Sequence, residues 1–217
     1  MRPILLNAGL GLWYSKGSDR LQRSFMDHGY EGDYNIWKEW PAWEHSRDCV
    51  YAVKAAAFQH AMKAGFKLIV WADASIYATG PVMPFFRKVE RDGYWIGQSG
   101  YNCAQTCSDR ALEYFGVSRD EAEGMPDCAT GMFGFNLEWW PAAAAIEEWI
   151  QAAKDGIFHG SRQHGNQSKD PRFLFHRQDQ AVMSLILGKK NIPLKLFQEH
   201  VRFKWDGAGG TFRCEGM

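Results

Sequence analysis

Apolar and polar positions along the chain alternate between two rhythms. Pro3 to Ala8 is a short apolar run that stops in GLGLWYSKG (residues 9–17), which predicts a strand followed by a loop whose glycines let the backbone turn. SDRLQRSFMDHG (18–29) places Leu21, Phe25 and Met26 on one face behind the cap candidate Ser18 and ahead of Gly29, so it predicts a helix. Residues 30–45 are irregular and tryptophan-rich, with a short strand expected near 35–37. Ser46 precedes the clearest helical pattern, in which Val50, Val53, Ala57, Ala61 and Ala64 mark one apolar side and Gly65 supplies the stop. FKLIVWAD follows at once, and its unbroken 68–72 run reads as a strand covered on both faces.

The alternation continues with a helix over 81–91, the strand YWIGQS (94–99), a helix over 108–115 and the apolar segment CATGMFGFN (128–136). A helix from Pro141 to about Lys154, the polar loop FHGSRQHGNQSKDPRF (158–173) and a helix over 178–187 complete the pattern. Helix followed by buried strand implies an α/β architecture with a parallel sheet. There is no internal repeat, and AGGTFRCEGM (208–217) reads as a loosely held tail.

Composition narrows the picture. A chain of 217 residues suits one domain. Lys+Arg and Asp+Glu both number 25, so the net charge is zero, which disfavours a nucleic-acid binder held by a broad cationic face. The longest apolar stretch, Trp139 to Ile146, contains Pro141 and falls far short of the roughly 20 residues that span a bilayer. The N-terminus lacks the core and cleavage site of a secretory signal, so the expected location is cytoplasmic. Five scattered cysteines are expected to be reduced thiols; Cys103 and Cys107 have no second pair, and no zinc site is assigned to them. Ten tryptophans, several in polar glycine-rich stretches, allow stacking on a base or a sugar as well as core packing.

In open α/β sheets, ligands bind beyond the carboxyl ends of the strands. Two such points carry chemistry. In GLGLWYSKG, Gly9 and Gly11 give a backbone that phosphate can approach, and Trp13 and Tyr14 give rings for a base; packing against the first helix is the alternative for Tyr14. In WADAS, Asp73 and Ser75 share a side of the chain, and a carboxylate with a hydroxyl can hold a hard divalent cation against a diphosphate. Asp73 as a simple cap of the next segment stands beside that reading.

Over residues 4–205 the sequence resembles glycosyltransferases of the GT-A fold, most closely the glycogenin-like, galactosyltransferase-like group that uses sugar nucleotides. LNAGLGLWYSKGSDRLQRSF is similar to the family's first strand, nucleotide loop and helix, and KLIVWADAS to its strand ending in a D-x-D metal motif. ATGMFGFN resembles the strand lining the donor sugar, HRQDQAVMS the segment whose Asp-Gln pair borders the sugar, and EHVRFKW the late stretch whose histidine completes the metal site. The resemblance implies a single GT-A (Rossmann-like) domain over 1–205, with a mostly parallel central sheet flanked by helices, and a tail over 206–217. It implies a metal-assisted, retaining transfer from a nucleoside-diphosphate sugar, a UDP-sugar, to an unidentified acceptor: a glycan, a protein, a small molecule or a modified nucleic-acid base.

By residue, the resemblance implies Mn²⁺ or Mg²⁺ on Asp73, Ser75 and His200, with the histidine favouring Mn²⁺. Gly9, Gly11, Trp13, Tyr14, Lys54, Asp73 and Lys204 would contact the donor, and Asp179 and Gln180 would act at the sugar. Ser75 departs from the pattern, because a hydroxyl is a poorer cation ligand than the carboxylate it replaces, and the spacing after His200 is tighter than the family's. His176 is read as a structural hydrogen-bonding residue. The acceptor walls are expected from residues 30–43 and 158–173. A nucleotidyltransferase and a non-catalytic sugar-binding module are the competing classes; the first expects a glycine- and lysine-rich phosphate loop near the N-terminus, the second an all-β fold.

Overall fold

The computed structural model describes residues 1–10, 12–38, 49–159, 167–203, 206 and 210–215. In chain order its elements are β1 (Pro3–Ala8), α1 (Leu12–Asp27), β2 (Asp33–Trp37), α2 (Ala52–Lys63), β3 (Leu68–Ala72), β4 (Ile76–Ala78), α3 (Met83–Asp92) and β5 (Tyr94–Asn102). The short helices α4 (Cys103–Thr106), α5 (Asp109–Phe115) and α6 (Arg119–Glu123) precede β6 (Pro126–Asn136), α7 (Trp140–Lys154) and α8 (Asp179–Lys189). A 3₁₀ turn (Phe197–Glu199), β7 (Val201–Phe203) and β8 (Phe212–Cys214) close the chain.

The main sheet has the order β2-β1-β3-β6-β5. β1 runs parallel to β2 and β3, whereas β6 is antiparallel to both β3 and β5, so β6 alone is reversed. Period-two alternation feeds a core on each face: Ile4, Leu6, Ile69, Trp71, Phe133 and Phe135 enter one cluster, and Leu5, Leu68, Val70, Ala72 and Met132 the other. Small residues let α2 lie close to the sheet, where Phe58 stacks on Phe133 at 5.3 Å and meets Trp149 of α7 edge-on at 5.8 Å. β3 is buried along its whole length at the centre, so its carboxyl end opens between the two layers of helices.

Several expectations change. α1 begins at Leu12, not Ser18, so Trp13 to Lys16 belong to a helix instead of a loop. Ser18 is an interior helical residue whose hydroxyl bonds back to the Tyr14 carbonyl at 2.9 Å and also to Asn7 of β1, which removes it from capping. Within the expected tail, β8 pairs with β4 and β7 in a second sheet, and the buried Phe212 stacks on Phe25 at 5.3 Å. Helices α4 and α6 and strand β4 were not expected, being too short to show periodicity. Gly97 of β5 permits the 3₁₀ turn to approach, since a Cβ there would lie 2.7 Å from Phe197 Cα. Among the described residues no helix is long and apolar enough to cross a membrane.

Candidate active site

A cavity of about 530 Å³ opens at the carboxyl end of β3. Its chemistry converges on one ammonium. Lys54, carried by α2 and only 3% exposed, places Nζ 2.9 Å from the Thr130 carbonyl of β6, 3.2 Å from Asp73 Oδ1 and 3.1 Å from Asp179 Oδ2. Asp73 follows directly on β3; its backbone N–H donates to Gly131 O at 2.8 Å, and its Oδ1 accepts the indole N–H of Trp71 at 2.7 Å. Asp179 is the first residue of α8. Three elements therefore meet through side chains that none of them could bury alone.

One ammonium between two carboxylates leaves an acid in excess. Burial on its own would push the Lys54 ammonium down, but the charges of Asp179 and Asp73 outweigh it and hold its pKa above the ordinary lysine value. Asp73 is partly open to the cavity, its side chain 34% exposed, whereas that of Asp179 is 3% exposed. Burial accordingly raises the Asp179 carboxyl above the usual range despite the opposing pull of Lys54. Its Oδ2 has no hydrogen-bond partner beyond the Lys54 ion pair among the described residues.

The preceding residue is strained. Gln178, which also lines the cavity, has φ 48° and ψ −113°, a region that L-residues avoid. Gln180, one residue beyond Asp179, points its amide Nε2 at the buried Asp127 at 2.6 Å. Phe175 and Arg177 form a rim: the guanidinium lies 5.7 Å from the Phe175 ring and 5.8 Å from that of the exposed Tyr101.

Of the residues expected at the site, Lys54, Asp73, Ser75, Asp179 and Gln180 all line this cavity. His200 does not join them. It packs edge-on against Phe85 at 5.1 Å and Trp95 at 5.5 Å, with Nε2 3.6 Å from Glu199, and burial lowers its pKa. Gly9 and the 56%-exposed Tyr14 also lie outside the cavity lining; Gly9 instead sits against Ser18, where a Cβ would come within 3.0 Å of Oγ. Gly11 and Lys204 fall outside the described residues, as does the side chain of Trp13. His176 is structural as expected, its Nδ1 accepting the Ser108 backbone N–H at 3.2 Å.

Sequence reasoning missed Arg177, Phe175, Tyr51, whose ring lies 5.5 Å from Lys54 Nζ in the cavity lining, the Thr130 carbonyl and Asp127. Arg177 lay within the HRQDQ stretch already singled out. Asp127 was legible only as a carboxylate next to an otherwise apolar strand.

No family model and no curated protein matches this sequence. Among solved structures, the chain superposes on mouse xyloside xylosyltransferase 1 in its apo form with a TM-score of 0.57 at 10% identity, covering 99% of this chain and 97% of that one. The apo structure of the bifunctional glycosyltransferase WbbM gives a TM-score of 0.53 at 9% identity over 93% of this chain and 40% of that one, so the chain spans under half of WbbM. The likeness is one of fold, and the protein has a GT-A-like α/β fold.

Proposed function

We propose that the protein is a glycosyltransferase that moves a sugar from a nucleoside-diphosphate sugar, a UDP-sugar, to an acceptor, retaining the anomeric configuration. The observation that carries this reading is the pair of carboxylates, Asp73 ending the central strand and Asp179 opening α8, joined through buried Lys54 on one wall of a single cavity. The GT-A-like fold supports it. Retention rests on the resemblance of KLIVWADAS and HRQDQAVMS to the glycogenin-like group.

Cleaving the bond from the anomeric carbon to the diphosphate builds positive charge on the ring and negative charge on the leaving group. Asp179, next to the cavity and paired with Lys54, offers a carboxylate to the cationic ring. Lys54 keeps Asp73 and Asp179 at fixed separation, and Trp71 fixes the plane of the Asp73 carboxyl. Arg177 brings a cation to the rim that has no ion pair among the described residues, suited to a departing or incoming anion.

The donor set suits a hard divalent ion that takes most of its ligands from substrate phosphates. Asp73 keeps Oδ2 free of Trp71 and Lys54, and the Ser75 hydroxyl lines the same cavity, with Cys214 Sγ 3.6 Å from it. Asp73 and Ser75 line the cavity and are the residues assigned to the ion; His200, packed against Phe85 and Trp95 outside that lining, is not. When bound, Mn²⁺ or Mg²⁺ would supply Lewis-acid neutralisation of the leaving diphosphate.

The competing classes find less support. The helices depart from the all-β fold expected of a sugar-binding module, and α1 starts too early to leave a long phosphate loop for a nucleotidyltransferase. Isothermal titration with UDP, ADP and GDP, with and without Mn²⁺, tests the assignment. Binding of UDP that strengthens with Mn²⁺ is expected. No UDP binding under either condition, beside measurable binding of another nucleotide, removes the proposal.

A further inference from the structure

Asp127, near the start of β6, is fully buried. Ser99 Oγ lies 2.5 Å and Gln180 Nε2 2.6 Å from its Oδ2. Thr106 Oγ1 and Ser184 Oγ, each with a second acceptor in reach, lie 3.1 and 3.0 Å from Oδ1. Burial raises the Asp127 carboxyl, and these donors together with the Arg177 charge oppose that shift. Oδ2, faced by the Ser99 hydroxyl and the Gln180 amide, is placed as an acceptor toward both.

That environment has a consequence for Gln180, which is 6% exposed and lines the cavity beside Asp179. A side-chain amide has a donating end and an accepting end, and a neighbouring atom placed as an acceptor selects the donating one. The Gln180 carbonyl Oε1 is the end left over, and it carries no hydrogen bond among the described residues. We propose that Asp127 is a positioning residue that fixes the polarity of the Gln180 amide, so that the cavity reads a hydrogen-bond donor, a ring hydroxyl of the transferred sugar. The hydroxyl's identity as part of a sugar rests on the function proposed above; the locking of the amide does not. Asp127 touches no substrate and acts only through Gln180.

Two measurements on the full chain separate these statements. The first is hydrogen exchange at the Gln180 side-chain amide in ¹⁵N spectra, the signal being identified by its loss in Gln180→Glu. Slow exchange in the wild-type chain and fast exchange in Asp127→Asn are expected; exchange in the wild type as fast as at an exposed glutamine overturns the proposal without any variant having to fold. The second is titration with the UDP-sugar and its monodeoxy analogues, using UDP as the reference for each protein. One deoxy position should weaken wild-type binding roughly 10- to 100-fold, because the buried carbonyl is left unpaired, and the penalty should fall to roughly threefold in Asp127→Asn, where the amide can turn. An equal penalty in both proteins overturns the proposal. A wild-type chain with a slowly exchanging Gln180 amide that binds neither UDP nor UDP-sugars overturns the glycosyltransferase reading and the sugar-hydroxyl part of this one, leaving the lock itself supported.

Discussion

Replacing Lys54 by methionine keeps most of the side chain's volume and removes its ammonium, leaving Asp73, Asp179 and the Thr130 carbonyl without the group they share. Removing one partner of a buried ion pair costs about 3–5 kcal/mol, since the survivor remains buried and charged. In a chain of 217 residues that lowers the midpoint of thermal unfolding by roughly 6–20 °C. Urea unfolding with an unchanged m-value is the assay. The deficit should also depend on pH. Asp179 has a folded-state pKa above its unfolded one, so its contribution is present at low pH and is lost as pH rises through the folded value. Losing Lys54 raises that value further. The gap between variant and wild type is therefore widest at neutral pH and narrows on acidification into the carboxylate range, and Lys54→Met combined with Asp179→Asn should recover part of the loss. A deficit under about 1 kcal/mol at neutral pH, or one that widens on acidification, refutes the reasoning.

Three further outcomes follow from the same geometry. Asp73→Asn should spare the fold, because its amide oxygen can still accept the Trp71 N–H, while titration shows Mn²⁺-dependent UDP binding weakened at least tenfold (~1.4 kcal/mol). Gln178→Gly frees a backbone held at φ 48°, and titration with the UDP-sugar should show donor affinity falling as Asp179 and Gln180 loosen. Gly97→Ala drives a Cβ to within 2.7 Å of Phe197 Cα and should cost about 1–3 kcal/mol in urea unfolding, with a lower UDP affinity as Phe197 and Phe203 shift in the cavity wall.

The long elements were legible because their patterns were long. The five-residue run of β3, the helix expected over 108–115 and Pro141 near the start of α7 each appear where the pattern places them. Strand direction was not legible: nothing in CATGMFGFN distinguishes a reversed β6 from a parallel one, since both bury the same residues. Ser18 misled because a serine bonding back to a carbonyl one turn away looks the same in sequence as a serine capping a helix. At the site, Asp73 was accessible from its place at a strand end and from the resemblance, and Lys54 and Asp179 from the resemblance. Asp127 was not, because its role depends on Ser99 of β5, Thr106 of α4, and Gln180 and Ser184 of α8 being brought together from three separate elements. His200 shows the opposite failure: a residue type right for a metal site, placed by the fold among Phe85 and Trp95.

The most direct measurement is a crystal structure of the chain with Mn²⁺ and a non-hydrolysable UDP-sugar. The account predicts the diphosphate against Asp73 and Ser75, with the sugar ring reaching Asp179 and Gln180. A ligand bound elsewhere, with the Lys54 cavity holding only water at saturating donor, would contradict it.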